Sequence, residues 1–123
     1  MKAEPGEQLK PKSQYVDEAI QLAISGRWEA ALDLNRVIVE RFGKDQETHN
    51  RLGKALTELG RLDEAKAEYE ATLALNPLNL IARKNTSKLE SLARAKEAIA
   101  LGGAKVDLNL FVEEMGKTIT TTL

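Results

Sequence analysis

Residues 52–77, LGKALTELGRLDEAKAEYEATLALNP, decide the fold of this chain. Apolar residues recur in this stretch every three or four positions, which is the spacing of one face of an α-helix. The pattern breaks at Gly60 and stops at Asn76-Pro77, because proline cannot continue a helix and restricts the residue before it. The stretch therefore predicts two helices joined by a tight turn.

The same pattern occurs earlier in the chain at a constant spacing, which we call the repeat period. Ser13 is predicted to cap the first helix of this earlier pair, and Gly43 to end the second. A period of about 34 residues with two helices in each unit indicates a helical repeat. The residues that coincide are Leu22 with Leu56, Gly26 with Gly60, Arg27 with Arg61 and Ala31 with Ala65.

Residues 12–79 resemble the tetratricopeptide repeat (TPR) family, most closely in the second unit. The residues that carry the resemblance are Leu52, Gly53, Leu56, Gly60, Leu62, Ala65, Tyr69, Leu73 and Pro77. The resemblance implies an all-α fold, a TPR-like array of helical hairpins that winds into an α-α superhelix. It also implies that Gly53 and Ala65 let paired helices approach closely. The first unit departs from the family with Asn35 at an aromatic position, and His49 stands where tryptophan is typical.

The domain organisation follows from these units. Residues 1–12 are predicted to be a flexible tail and residues 13–101 a helical domain, with repeats at about 12–45 and 46–79. Residues 80–101 are predicted to form one uninterrupted helix that caps the stack, since the last repeat of an array must cover an apolar face. Residues 102–123 are predicted to form a separate C-terminal segment, where a further domain could begin.

Composition disfavours several classes of function. The 18 basic and 19 acidic side chains leave a net charge of −1, whereas nucleic-acid binders normally carry a basic excess. Without cysteine and with His49 as the single histidine, we expect no catalytic residues, no metal site and no cofactor. No apolar run approaches the ~20 residues of a membrane span, and no signal peptide begins the chain, so we expect a cytoplasmic protein without a membrane partner.

Several conspicuous side chains have ordinary structural interpretations. Trp28 and Tyr69 are predicted to be core aromatics, and His49 is predicted to occupy a packing position. An acidic face on the fourth helix is predicted to be solvated. It comprises Asp63, Glu64, Glu68 and Glu70.

The TPR resemblance implies a binding surface, because the first helix of each unit in that family lines a concave groove that holds peptides. Residues 81–100 carry five basic and two acidic side chains, so the groove is expected to be apolar at one end and basic at the other. Such a groove suits an acidic peptide or protein with an apolar anchor. The predicted partner-binding residues are Val16, Ile20, Ile24, Asn50, Arg51, Lys54, Ile81, Lys84 and Lys88.

The sequence therefore predicts a non-catalytic protein–protein interaction module and leaves three alternatives open. The C-terminal segment could cover the apolar end of the groove through Phe111, Val112 and Met115. A homodimer could form by exchange of that segment between protomers. The chain could also be the regulatory N-terminal module of a longer protein that continues past Leu123.

Overall fold

The computed structural model describes residues 10–102, and these residues form five α-helices and no strand. The helices are α1 (Lys12–Ile24), α2 (Trp28–Phe42), α3 (Gln46–Glu58), α4 (Leu62–Leu75) and α5 (Leu80–Ala100). The predicted all-α class and the uninterrupted last helix are confirmed. The predictions for residues 1–9 and 103–123 lie outside the described residues.

Successive helices pack against one another, α1 on α2, α2 on α3 and α3 on α4. The chain divides into two compact units after Arg83, so the first unit contains α1 to α4 and the first residues of α5. The binding surfaces discussed below belong to this first unit.

The two tight turns have the same hydrogen bonds, one repeat period apart. The Arg27 N–H donates to the Leu22 carbonyl at 2.9 Å, and the Arg61 N–H donates to the Leu56 carbonyl at 2.8 Å. The glycine before each arginine has a φ of 75° or 78°, a region that favours glycine because a Cβ would be strained there. The predicted helix breaks at these glycines are confirmed.

The helix starts repeat as well, because α1, α3 and α5 begin at successive intervals of one repeat period. Asp45 caps α3, its Oδ1 accepting a hydrogen bond from the Thr48 N–H at 2.7 Å. Asn79 makes the equivalent bond to the Ala82 N–H at 3.0 Å. These side chains satisfy N–H groups that have no partner within the helix.

The predicted cap of α1 is wrong. Ser13 lies inside the first turn of α1, and Pro11 occupies the capping position with φ −67° and ψ 153°. Proline has this φ built into its ring, and its carbonyl accepts from the Gln14 N–H at 3.0 Å. Helix α1 therefore starts without a side-chain cap.

Helices α3 and α4 approach closely where Gly53 meets Tyr69. A Cβ added at Gly53 would lie 2.6 to 2.8 Å from three ring atoms of Tyr69. Tyr69 is buried, as predicted for a core aromatic, and burial raises the pKa of its hydroxyl. The predicted role of Gly53 in close helix packing is confirmed.

Candidate partner-binding surface

A row of apolar side chains lies on α1. Val16, Ile20 and Ile24 are spaced four residues apart and so share one face of the helix. Val16 is half-buried, but Ile20 is 39% exposed and Ile24 is 72% exposed. On α3, the positions one repeat period after Ile20 and Ile24 hold charged side chains, Lys54 and Glu58. The helix pair can therefore form without apolar side chains at these two positions.

Two contacts link α3 with the first helix pair, one at the start of α1 and one at the start of α2. At the start of α1, the Lys12 ammonium lies 2.7 Å from the Asp45 carboxylate, which caps α3. At the start of α2, the Lys54 ammonium lies 5.7 Å from the centroid of the Trp28 ring. An ammonium over an indole face is attracted by the negative charge density of the ring. The face of α3 that carries Lys54 therefore lies beside the α1–α2 turn.

Trp28 was expected in the core and is instead half-buried. Its ring contacts Lys54 on one side and borders an open cleft of about 400 Å³. The residues that line this cleft are Gly26, Arg27, Trp28, Glu29, Ala30 and Leu59. The indole is thus partly accessible at the α1–α2 turn, which Ile24 precedes.

Arg51, a predicted partner contact, is bonded within the protein. Its Nε donates to Asn35 Oδ1 at 2.8 Å, and its Nη2 donates to Thr48 Oγ1 at 2.9 Å. Asn35 is buried and donates in turn to the Ala31 carbonyl at 2.9 Å. Burial lowers the pKa of the Arg51 guanidinium below its ordinary value. Arg51 therefore supplies the partner that a buried amide at position 35 requires.

Asn50 is similarly engaged and is only 9% exposed. Its Nδ2 donates to Asn79 Oδ1 at 3.1 Å, so it links α3 to the start of α5. Both side chains thus hold neighbouring elements together. Direct contact of Asn50 and Arg51 with a partner remains a prediction.

His49 is buried, as predicted for a packing residue, and it also has a polar partner. Its Nδ1 lies 2.6 Å from Glu68 Oε1. The prediction that Glu68 belongs to a solvated acidic face is wrong, because this carboxylate is half-buried against His49. Asp63, Glu64 and Glu70 are exposed as predicted. Within residues 10–102, no group of three histidine or carboxylate side chains is arranged to hold a metal ion.

The remaining predicted site residues lie on α5. Ile81 is 57% exposed and belongs to the first unit. Lys84 is exposed and Lys88 is half-buried, and both belong to the second unit. Of the residues around α1 and α3, the structure brings Trp28 and Lys54 together, and it leaves Ile20 and Ile24 exposed on α1.

Comparisons with family models, with curated proteins and with solved structures find no match to this chain. None of the helices described is both long enough and apolar enough to cross a membrane.

Proposed function

We propose that the chain is a non-catalytic, cytoplasmic interaction module that binds a protein or peptide in the groove of a short TPR array. The observation that carries the proposal is the exposure of Ile20 and Ile24 at positions where the second unit has Lys54 and Glu58. Exposed apolar side chains that the fold does not require are typical of an interface.

A TPR-like arrangement is supported by the recurrence of helix starts and turn hydrogen bonds at the repeat period. In such an array α1 and α3 form neighbouring walls of the groove. The contact of Lys12 at the start of α1 with Asp45, the cap of α3, is consistent with this arrangement.

The partner that fits these walls has an apolar anchor and acidic flanking residues. Burial of the exposed parts of Ile20 and Ile24 contributes on the order of 2–3 kcal/mol, which is below the ~4 kcal/mol or more that association costs. The isoleucines are therefore an anchor within a larger interface. Lys54 is exposed, and its ammonium lies over the Trp28 ring and 2.8 Å from the Glu58 carboxylate, so an acidic residue of the partner would compete with Glu58 for it.

A variant that copies residues of the second unit onto the equivalent positions of the first tests this proposal. The double substitution Ile20→Lys/Ile24→Glu places on α1 the residues that α3 has at the same positions. On α3 these residues form an i,i+4 ion pair at 2.8 Å, so the exchange is compatible with the helix. We expect the variant to melt within a few degrees of the native chain.

The experiment is a display selection of random peptides on the native chain, with each enriched peptide then titrated against both chains. We expect enriched peptides to combine apolar and acidic residues and to bind the exchange variant at least tenfold more weakly. The control is Ala67→Lys/Ala74→Glu, a pair of exposed positions on α4 that also adds one charge of each sign. Equal binding to the native and exchanged chains would refute the proposal.

A further inference from the structure

The turn between α4 and α5 exposes four large apolar side chains within seven residues. Leu75 is 49% exposed, Leu78 72%, Leu80 76% and Ile81 57%. We call these four residues the apolar turn. All of them belong to the first unit.

The connection one repeat period earlier forms without apolar side chains at the equivalent positions. The turn between α2 and α3 lies one repeat period earlier, and its four equivalent residues are all polar. They are Arg41, Lys44, Gln46 and Glu47. The earlier connection thus has polar side chains at these positions, although its backbone differs, since Gly43 has a φ of 89° where the later turn has Pro77.

Hydrogen bonds hold the apolar turn in one conformation. Gln46 Oε1 on α3 accepts from Asn76 Nδ2 at 3.0 Å and from Asn79 Nδ2 at 2.9 Å. Within the turn, the Leu78 N–H donates to Asn76 Oδ1 at 3.1 Å. A surface that is ordered in advance loses little conformational entropy when a partner binds.

We infer that the apolar turn is a second docking surface, for a partner segment that combines apolar and acidic side chains. The charge next to the turn selects this occupant. Arg83 is exposed and lies three residues after Leu80, which places both on one side of α5. No described acidic side chain bonds to the Arg83 guanidinium, and residues 75–83 contain no acidic residue.

A second copy of the chain is a poorer occupant for the same reason. A two-fold symmetric interface must be complementary to itself. If the apolar turns of two copies faced each other, they would bring two Arg83 side chains together and no carboxylate from residues 75–83. Unmatched like charges oppose association. The inference uses none of the α1 side chains of the proposed groove and shares only Ile81 with the predicted groove residues.

The probes are two synthetic amphipathic peptides of about 14 residues, close to the minimum length for a helix in water. Both carry the same row of leucines, and their polar positions hold glutamate in one and lysine in the other. Amide chemical shifts of the full chain are followed during titration with each. We expect the glutamate peptide to shift the amides of residues 75–83 and to bind at least fivefold more tightly than the lysine peptide.

Two variants locate the effect. Leu78→Lys/Ile81→Glu installs the residues of the earlier turn, so we expect an unchanged melting temperature and at least a fivefold loss of glutamate-peptide binding. Arg83→Gln should remove the preference for glutamate over lysine and leave the residual apolar binding. The groove variant Ile20→Lys/Ile24→Glu should bind the glutamate peptide at the turn as the native chain does, which separates failure of this inference from failure of the groove.

Four results would overturn the inference. The first is a shift map centred on α1 instead of residues 75–83. The second is equal affinity for the two peptides. The third is a much lower melting temperature of Leu78→Lys/Ile81→Glu, which would make the apolar side chains structural. The fourth is a concentration-dependent mass in sedimentation that this variant abolishes, which would make a second copy the occupant.

Discussion

The substitution Gly53→Ala tests the packing of α3 against α4. The new methyl carbon would lie 2.6 to 2.8 Å from three atoms of the Tyr69 ring. Real Cβ atoms do not approach so closely, so the ring or a helix must move. Tyr69 is 2% exposed, and a buried ring has little room to move.

The expected cost is the difference between two effects. Overpacking a well-filled core costs about 1–3 kcal/mol. Alanine in a helix interior recovers up to about 1 kcal/mol relative to glycine. We expect a net loss of about 1–2 kcal/mol, which lowers the melting temperature of a domain of this size by about 3–10 °C.

Urea denaturation of four chains measures the loss and assigns its cause. They are the native chain, Gly53→Ala, Tyr69→Leu and the double variant. If the ring is the obstacle, Gly53→Ala should cost clearly less, or stabilise, when residue 69 is leucine. An unchanged or higher unfolding free energy for Gly53→Ala alone would refute the packing argument.

Two further predictions concern polar contacts of α3. Partial burial raises the pKa of Asp45, but the Lys12 ammonium and the Thr48 N–H outweigh it and lower that pKa from 3.8 to about 2. Because the pKa is lower in the folded state, this stabilisation is present above about pH 3.8 and is lost as the pH falls through about 2. In Asp45→Asn, the loss of unfolding free energy on acidification should be smaller by about 1 kcal/mol, after allowance for solvent screening. Urea midpoints at several pH values measure this difference. Asn35→Leu should cost about 1.5–3 kcal/mol in the same assay, because Arg51 loses a buried acceptor, and a neutral change would contradict this.

The helices and turns could be predicted because their signals are local. The breaks at Gly26 and Gly60 follow from periodicity and from the backbone freedom of glycine, and both glycines have positive φ. The cap of α1 was missed because serine is the usual capping residue, whereas Pro11 starts this helix through its fixed φ.

The polar contacts could not be predicted because their partners come from different helices. Asn35 bonds Arg51 across 16 positions, and His49 meets Glu68 across 19. A buried asparagine needs a partner, but the sequence does not say which residue supplies it. For the same reason Arg51 was assigned to the groove, although its Nε and Nη2 already donate within the protein.

The candidate surfaces were predictable only in part. The spacing of Ile20 and Ile24 placed them on one face of α1, and that face is exposed. Ile81 was predicted to be a groove residue. Only the folded chain shows that Ile81 is exposed together with Leu75, Leu78 and Leu80 around the α4–α5 turn.

The proposed function requires that a partner bind the exposed isoleucines of α1, Ile20 and Ile24. The most direct test follows the amide signals of the native chain during titration with the tightest-binding selected peptide. We predict that the largest shifts fall in residues 16–28 and 50–58 and that they vanish in Ile20→Lys/Ile24→Glu. Shifts confined to other parts of the chain, or shifts that persist in this variant, would contradict the claim.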